Sequence, residues 1–358
     1  MLKIHYLVEL SLQDFQEWKN LWSNSPDATV FNSPAWFKAC RQAFPQREQL
    51  IVMAKVEDYL EAVFLLEKRG NQWTLMGRPY LDRASLLFTQ SFMAQYGHQF
   101  LSILLEKFRI LELSEVSKNQ LEILLESSKK ILSFFSEVSL NPIFLVNQPS
   151  LSGKETREIR RLTRRLNERG NWSIEFKPIN NNSFELMSSI EKMSHKISRK
   201  QAILEKEEVK KLLTSLGTLS NSYIAFLNHN DKPIAHLLGL IEKDSFLAYH
   251  MAYNEDWADY APGKLLIYHI LPKLEKDGLL YFDFSRGQSS LKEKFSNIIN
   301  TQYCLIFFDK SYIGYLNYFI CRLEQLLDLM RLKITSHLPS HLKNQFRSYF
   351  NFWLDRRK

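Results

Sequence analysis

The stretch YAPGKLLIYHILPKLEKDGLLYFDFSRG, from Tyr260 to Gly287, sets a Pro-Gly turn, a helical run, a stop at Gly278 and a short aromatic strand carrying Asp283 in one line. A helix that opens on Pro262-Gly263 presents free backbone N–H groups, and its dipole favours an anion there. Tyr260, Ala261, Pro262, Gly263, Lys264 and Leu265 are therefore the candidate anion-binding turn, with Lys264 adding positive charge at its mouth. The competing reading is a plain loop-to-helix cap. Asp283 lies between Phe282 and Phe284 and is the candidate general base, since burial would raise its pKa. A strand aspartate that caps the next turn or pairs with Arg286 would serve structure alone. Arg286 and Lys292 could hold an acidic group of an acceptor or a phosphate, or be solvated.

Two histidines on neighbouring strands are the other candidate bases near neutral pH. Strict alternation along FLAYHMAY puts Tyr249, Met251 and Tyr253 on one face and His250 with Ala248 on the other. His236 sits on the strand before it. A single strand histidine more often only packs. No Ser/His/Asp or Cys/His spacing supports covalent catalysis. Cys40, Cys304 and Cys321 are scattered, so neither a disulfide framework nor a metal site is expected, and a reducing cytoplasm fits best.

Periodicity supplies the elements that must position these groups. SLQDFQEWKNLWSNS and SPAWFKACRQAF read as capped helices, and QLIVMAKV, YLEAVFLLEKR, WTLMG and ASLLF as strands. QYGHQFLSILLEKF reads as a helix, RILELSEV as a strand, and NQLEILLESSKKILSFF, residues 119–135, as one helix. KETREIRRLTRRLNERG is an arginine-rich helix ended by Gly170; most such runs are solvated faces. NNNSF near Asn181 reads as a turn, followed by helices over 183–197 and 205–216, and by strands at SYIAFLN, KPIAHLLGLIE and FLAYHMAY. Pro272 is expected to kink the helix after Gly263. SSLKEKFS reads as a helix and TQYCLIFF as a strand.

The chain of 358 residues suits two domains, and 45% apolar with 24% charged residues is ordinary for a folded protein. The net charge of +8 favours acidic partners: nucleic acid, an anionic membrane face or a phosphorylated cofactor. The N-terminus does not read as a signal peptide, and no apolar run is long enough to span a membrane. From Asp309 the texture changes. Tyr312, Tyr315, Phe319, Leu323, Leu326, Leu327 and Met330 make an apolar helical stripe, and a basic, aromatic segment follows Pro339. The stripe is expected to pack back on the protein; the alternative is a helix lying in an anionic membrane interface.

The order in 222–308, with Tyr253, the turn Tyr260-Ala261-Pro262-Gly263, the strand Phe282-Asp283-Phe284-Ser285-Arg286-Gly287 and then Lys292, resembles the CelD/BcsL-like, FemAB-like branch of the GNAT acyltransferases. FNSPAWF at 31–37, LMGRPYLDRASLLF and the arginine-rich helix resemble the upstream parts of that family. Ala261 and Asn254 depart from its usual residues. The resemblance covers roughly residues 1–308 and implies an α/β fold. Its parts would be tandem GNAT-like (Fem-like) domains, mixed and mostly antiparallel sheets flanked by helices, and a helical C-terminal tail. The expected division is 1–150, 151–308 and 309–358. It further implies an N-acyltransferase that uses acyl-CoA as co-substrate, held at 260–265, with no tightly bound cofactor. Asp283, His250 and Tyr253 would be catalytic, and His236, Arg286 and Lys292 would bind substrate. The acceptor would be an amine on an amino sugar, a cell-envelope precursor, or a Lys- or Orn-type side chain. The alternatives are Fem-like aminoacyl transfer from aminoacyl-tRNA, and a non-catalytic, membrane-docking or binding component of a biosynthetic pathway. Nucleic acid other than tRNA is not expected as a partner. Cytoplasmic location, with peripheral contact at the inner membrane face through the tail, completes the expectation.

Overall fold

The computed structural model describes residues 1–83, 86–149, 151–194, 202–219 and 222–337. The first half runs β1 (Leu2–Leu7), α1 (Leu12–Asn24), α2 (Pro34–Ala43), β2 (Gln49–Val56), β3 (Tyr59–Arg69), β4 (Gln72–Leu75), β5 (Leu87–Phe88), α3 (Gln90–Phe108), β6 (Ile110–Ser117), α4 (Lys118–Ser127) and β7 (Leu132–Leu145). The second half continues with α5 (Gly153–Arg169), β8 (Trp172–Pro178), α6 (Asn181–Ser194), α7 (Glu207–Leu219), β9 (Tyr223–His229), β10 (Lys232–Glu242) and β11 (Ser245–Tyr253). It closes with α8 (Pro262–Lys276), β12 (Tyr281–Asp283), α9 (Ser290–Phe295), β13 (Ile298–Phe308) and α10 (Tyr312–His337). Helices start where short polar side chains can take up orphan N–H groups. Ser33 accepts from Trp36 N at 3.1 Å ahead of Pro34, and Ser152 with Glu155 forms a capping box before α5.

All the described strands join one sheet, ordered β1-β2-β3-β4-β6-β13-β7-β12-β11-β10-β9-β8, with β5 beside β3. Only β4·β6 and β11·β12 run parallel; the other pairs are antiparallel. The last described strand, β13, lies between β6 and β7 of the first half. One apolar layer covers the face under α2, α6 and α7, with Trp36, Phe64, Phe184 and Leu212 at its centre. A second lies under α5 and α8, with Leu162, Leu266, Ile270 and Phe282. Helix α2 packs on α7 and so ties the halves together.

Three expectations change here. The helix expected over 119–135 stops at Ser127, and Leu132–Leu145 is the central strand β7, paired along Leu132–Ile143 with β13. Over Leu132–Phe135, pairing with Leu305–Phe308 of β13 outweighs the local helical spacing of the apolar residues. Asn181 begins α6 rather than a turn, because Asn180 and Ser183 cap each other, Ser183 N to Asn180 Oδ1 at 3.0 Å. Finally, the stripe on α10 does not pack back. The helix meets the sheet through Tyr318 and Cys321, against Ile110, Phe134 and Phe308, while Tyr312, Tyr315, Phe319, Leu323 and Leu326 are exposed. Residues 338–358, the side chain of Met330 and the last three residues of the helix expected over 183–197 lie outside the described residues. Helix α8 continues through Pro272 to Lys276.

Candidate active site

β11 and β12 stay paired for only three positions, Ser245↔Tyr281, Phe246↔Phe282 and Leu247↔Asp283. Beyond Asp283 the chain leaves β11 and follows β7: Phe284 N donates to Pro142 O at 3.0 Å and Gly287 N to Leu140 O at 2.9 Å. Ser285 takes a left-handed φ of 61° to make this departure. From Ala248 to Tyr253, β11 has no strand on that edge among the described residues. The strand is also bulged. β10 pairs Leu238 with His250 and Gly239 with Ala248, so Tyr249 is the extra residue. The bulge overturns the strict alternation. Tyr249 and His250 both face the α6 side, whereas Met251 and Tyr253 turn to the α8 side.

On the α8 side, Gly263 sits against that free edge: a Cβ built on it would lie 3.4 Å from Met251 and 4.0 Å from Tyr253. Ala261 takes the left-handed conformation at φ 46° before Pro262, and no side chain caps the helix. The N–H groups of Gly263 and Lys264 find no partner among the described residues, as expected for a helix start. Lys264 does not stand at the mouth. Its ammonium is buried against Glu158 Oε2 of α5 at 3.0 Å, an ion pair that draws the Glu158 carboxyl below its ordinary range. Positive charge comes instead from α5, which packs beside α8. Arg165 lies over the Tyr260 ring at 5.0 Å and Arg169 over Trp257 at 5.3 Å, so part of the arginine-rich face is engaged rather than solvated. Leu265 is buried in the core beneath.

On the α6 side, the loop before β5 delivers Asp82 and Arg83 to the end of β12. Asp283 is fully buried, and its two oxygens accept from Arg83 Nη1 at 2.8 Å and Ser285 N at 2.7 Å. Its pKa is raised by burial, against the opposing pull of Arg83. Arg83 also pairs with buried Glu242. Arg286 does not pair with Asp283. Its Nε meets Asp82 at 2.9 Å, its Nη1 meets Glu115 at 3.3 Å, and its Nη2 donates to Pro79 O at 2.6 Å. Ser285 Oγ donates to the other oxygen of Asp82. Burial pushes the Asp82 carboxyl up to about 6, despite Ser285 and Arg286. Lys292 donates to Arg286 O at 2.7 Å, and burial pulls its pKa down. Tyr249 donates to Tyr80 O at 2.5 Å, and burial, then the Asp82 charge, raises its pKa. Asp82 thus lies between the bulge of β11 and the chain that departs from it.

His236 and His250 stack with ring centroids 5.2 Å apart, and His236 Nε2 lies 3.0 Å from His250 Nδ1. His250 Nε2 lies 3.1 Å from Glu191 Oε1 on α6. Burial, then the charge of His250, holds His236 well below its ordinary pKa, so it is neutral. Burial works against ionisation of Glu191, but His250 and the N–H groups of Leu204 and Ile203 bring its pKa below the usual value. Both ring nitrogens of His250 are therefore occupied. Among the sequence-stated candidates, the structure groups Asp283, Arg286 and Lys292, and separately the 260–265 turn with Tyr253. It joins His236 to His250 in a line running to Glu191. The sequence reading missed Asp82, Arg83, Glu115 and Glu191 as site residues. The Asp-Arg pair in PYLDRASLLF was its one visible signal; only the fold brings it about 200 positions along the chain to the FDFSRG strand. Among the described residues no cluster of side chains suits a metal ion.

Residues 153–293 match the model of an acetyltransferase (GNAT) domain. Among solved structures, FemX is similar over 88% of this chain and 100% of its own, at TM-score 0.65 and 8% identity. The L-PGS of Bacillus licheniformis is similar over 80% of this chain and 96% of its own, at TM-score 0.53 and 12% identity. A tandem GNAT protein from the clavulanic acid biosynthesis pathway is similar over 87% and 100%, at TM-score 0.53 and 9% identity. No curated protein matches the sequence.

Proposed function

Given a GNAT domain over residues 153–293, set in the fold of Fem-like tandem GNAT proteins, we propose that this protein is an N-acyltransferase that takes its acyl group from acyl-CoA. The observation that carries the reading is the split between β11 and β12. It leaves one strand edge open beside the uncapped start of α8. That edge suits an extended thioester arm, and the N–H groups of Gly263 and Lys264, with the arginines of α5 nearby, suit its diphosphate. The acceptor is an amine on an amino sugar, a cell-envelope precursor, or a Lys- or Orn-type side chain. Its nitrogen attacks the thioester carbonyl, the C–S bond breaks, and the CoA sulfur leaves as thiolate and takes up a proton.

The geometry favours Asp82 over Asp283 as the group that removes the amine's proton. Both carboxylates accept two hydrogen bonds, Asp283 from Arg83 and Ser285 N and Asp82 from Arg286 and Ser285 Oγ, but Asp283 is fully buried, whereas Asp82 keeps some exposure at the split and has a carboxyl near pKa 6. Lys292 has a third N–H beyond its two carbonyl contacts, available to an acidic group of the acceptor. His250, fixed between His236 and Glu191, positions α6 against β11. The CelD/BcsL-like assignment rests on the motif residues. A cytoplasmic setting belongs to this reading and rests on the scattered cysteines of the sequence.

One observation favours a second reading, aminoacyl transfer from aminoacyl-tRNA: Arg157, Arg160, Arg161 and Arg164 are exposed on α5 beside the same helix start. Titration with acyl-CoA in a calorimeter, followed by thiol release on adding amines, tests the first reading. Binding and CoA release that ribonuclease does not affect are expected. No acyl-CoA binding together with ribonuclease-sensitive transfer would select the second.

A further inference from the structure

Helix α10 turns its apolar side outward. Its inner side is narrow: Tyr318 meets Phe308 with centroids 6.0 Å apart, and Gly314 lies so close to Asp309 that a Cβ there would approach the Asp309 carbonyl to 2.1 Å. Opposite to these, Tyr312 is 83% exposed and Phe319 64%. Ile313, Tyr315, Leu316, Ile320, Leu323 and Leu326 are exposed as well. At the α-helical 100° per residue these eight side chains fill an arc of roughly 160°, with no charged residue of 312–327 inside it. A patch of that kind on a folded protein marks a contact surface.

Charge decides what the contact is. A groove lined by Lys68, Lys107, Arg109 and, from α10 itself, Ile313 and Asn317 borders the apolar arc. Next to it, sharing Arg109, is a cavity of about 490 Å³ that also takes in His98, Lys130 and Lys310, with Leu132 and Phe308 among its apolar walls. Among the described residues, Lys107, Arg109, Lys130 and Lys310 are exposed and none is in an ion pair. The acids nearby are Glu106 and Asp309, and Asp309 Oδ1 already accepts from Ser311 Oγ at 2.7 Å. The chain that follows α10 is basic too, with Lys343, Arg347, Arg356, Arg357 and Lys358 against Asp355. That segment also carries aromatic residues, Phe346, Tyr349, Phe350, Phe352 and Trp353, but folding it onto the arc would bring positive charge to a positive rim, and a second copy would do the same. A partner that is both apolar and anionic satisfies the whole surface.

We propose that α10 and the basic rim around Arg109 are a docking surface for a membrane containing anionic lipid. The apolar arc enters the interface, and the Arg109–Lys130–Lys310 cavity receives a lipid phosphate. This does not depend on the transfer reaction, and its test reads no activity.

The full-length protein is sedimented with vesicles of phosphatidylcholine alone and of phosphatidylcholine with 30% phosphatidylglycerol as the added anionic lipid. Binding to the anionic vesicles alone, weakening with salt, is expected. Phe319→Glu with Leu323→Glu should abolish it. Lys130→Ala and Lys310→Ala should each weaken it about five-fold, the equivalent of about 1 kcal/mol per surface lysine. All four positions are exposed, so far-UV circular dichroism should be unchanged. Failure of the native protein to sediment with anionic vesicles overturns the proposal, as does binding that the Phe319/Leu323 variant retains. So does a concentration-dependent dimer that this variant dissociates, which would make a second copy the occupant.

Discussion

Asp82 is charged only above a pH of about 6, because burial disfavours its carboxylate. As the base for an amine it must be ionised, so kcat/KM should rise about tenfold per pH unit on the acid side and level off above about 6. Asp82→Asn should remove that limb and lower kcat by roughly a hundredfold or more, read from pH–rate profiles. The same shift acts on stability with the opposite sense. The folded state prefers the protonated acid, so this contribution is full below the ordinary value of 3.8 and is lost as pH rises through about 6. Arg83 has a different task, since it neutralises Asp283 and Glu242 where both are buried. Arg83→Leu should cost about 3–5 kcal/mol in urea unfolding, because it leaves two carboxylates uncompensated. Asp283→Asn should likewise lower the urea midpoint without the hundredfold fall in kcat that loss of a base brings. A collapse of kcat at full stability would return the role of base to Asp283.

The bulge in β11 is what separates the two faces of the site, and a glycine opposite permits it. A Cβ on Gly239 would come within 1.9 Å of the Phe246 ring. Gly239→Ala must therefore push Phe246 out of the second core and should cost about 1–3 kcal/mol, measured by thermal or urea unfolding. At the start of α8 the space is looser, with 3.4 Å to Met251. Gly263→Val should therefore fold, yet its branches would crowd the N–H groups that a diphosphate needs. Loss of one charge-assisted hydrogen bond, about 1.5–3 kcal/mol, predicts a donor Kd raised roughly ten- to hundredfold by calorimetry. Unchanged affinity would place the donor elsewhere.

Over the whole molecule, β13 threads between β6 and β7, and β7 in turn pairs with β12. The Asp82–Arg286 and Arg83–Asp283 pairs cross the same boundary. Residues 1–150 and 151–308 therefore share both a sheet and an ionic network. We expect one cooperative unfolding transition, with tryptophan fluorescence and far-UV dichroism superimposing in urea. Two separated transitions would show that each half holds its own structure.

The Pro-Gly turn, the strand around Asp283, the capped helices and the order of elements from β9 to β13 were legible in the residues, whereas Trp172–Pro178 was not read as a strand and Asn181 read as a turn. Each legible feature is set by local rules: proline at a helix start, apolar period, serine caps. The tandem fold was what the family resemblance carried by those motifs implied. What local rules could not reach depends on partners distant along the chain. The first residues of β7, Leu132–Phe135, read as helix because their apolar spacing is ambiguous until β13 pairs with them. Tyr249 and His250 read as opposite faces because a bulge is a property of two strands, and Gly239 alone does not announce it. Lys264 read as a free cation until α5 brought Glu158 to it. Asp82 had no visible role until folding carried it to Ser285 and Arg286, where loss of water, not residue type, sets its pKa. Burial and long-range pairing are sums over the whole chain, and only the folded molecule performs them.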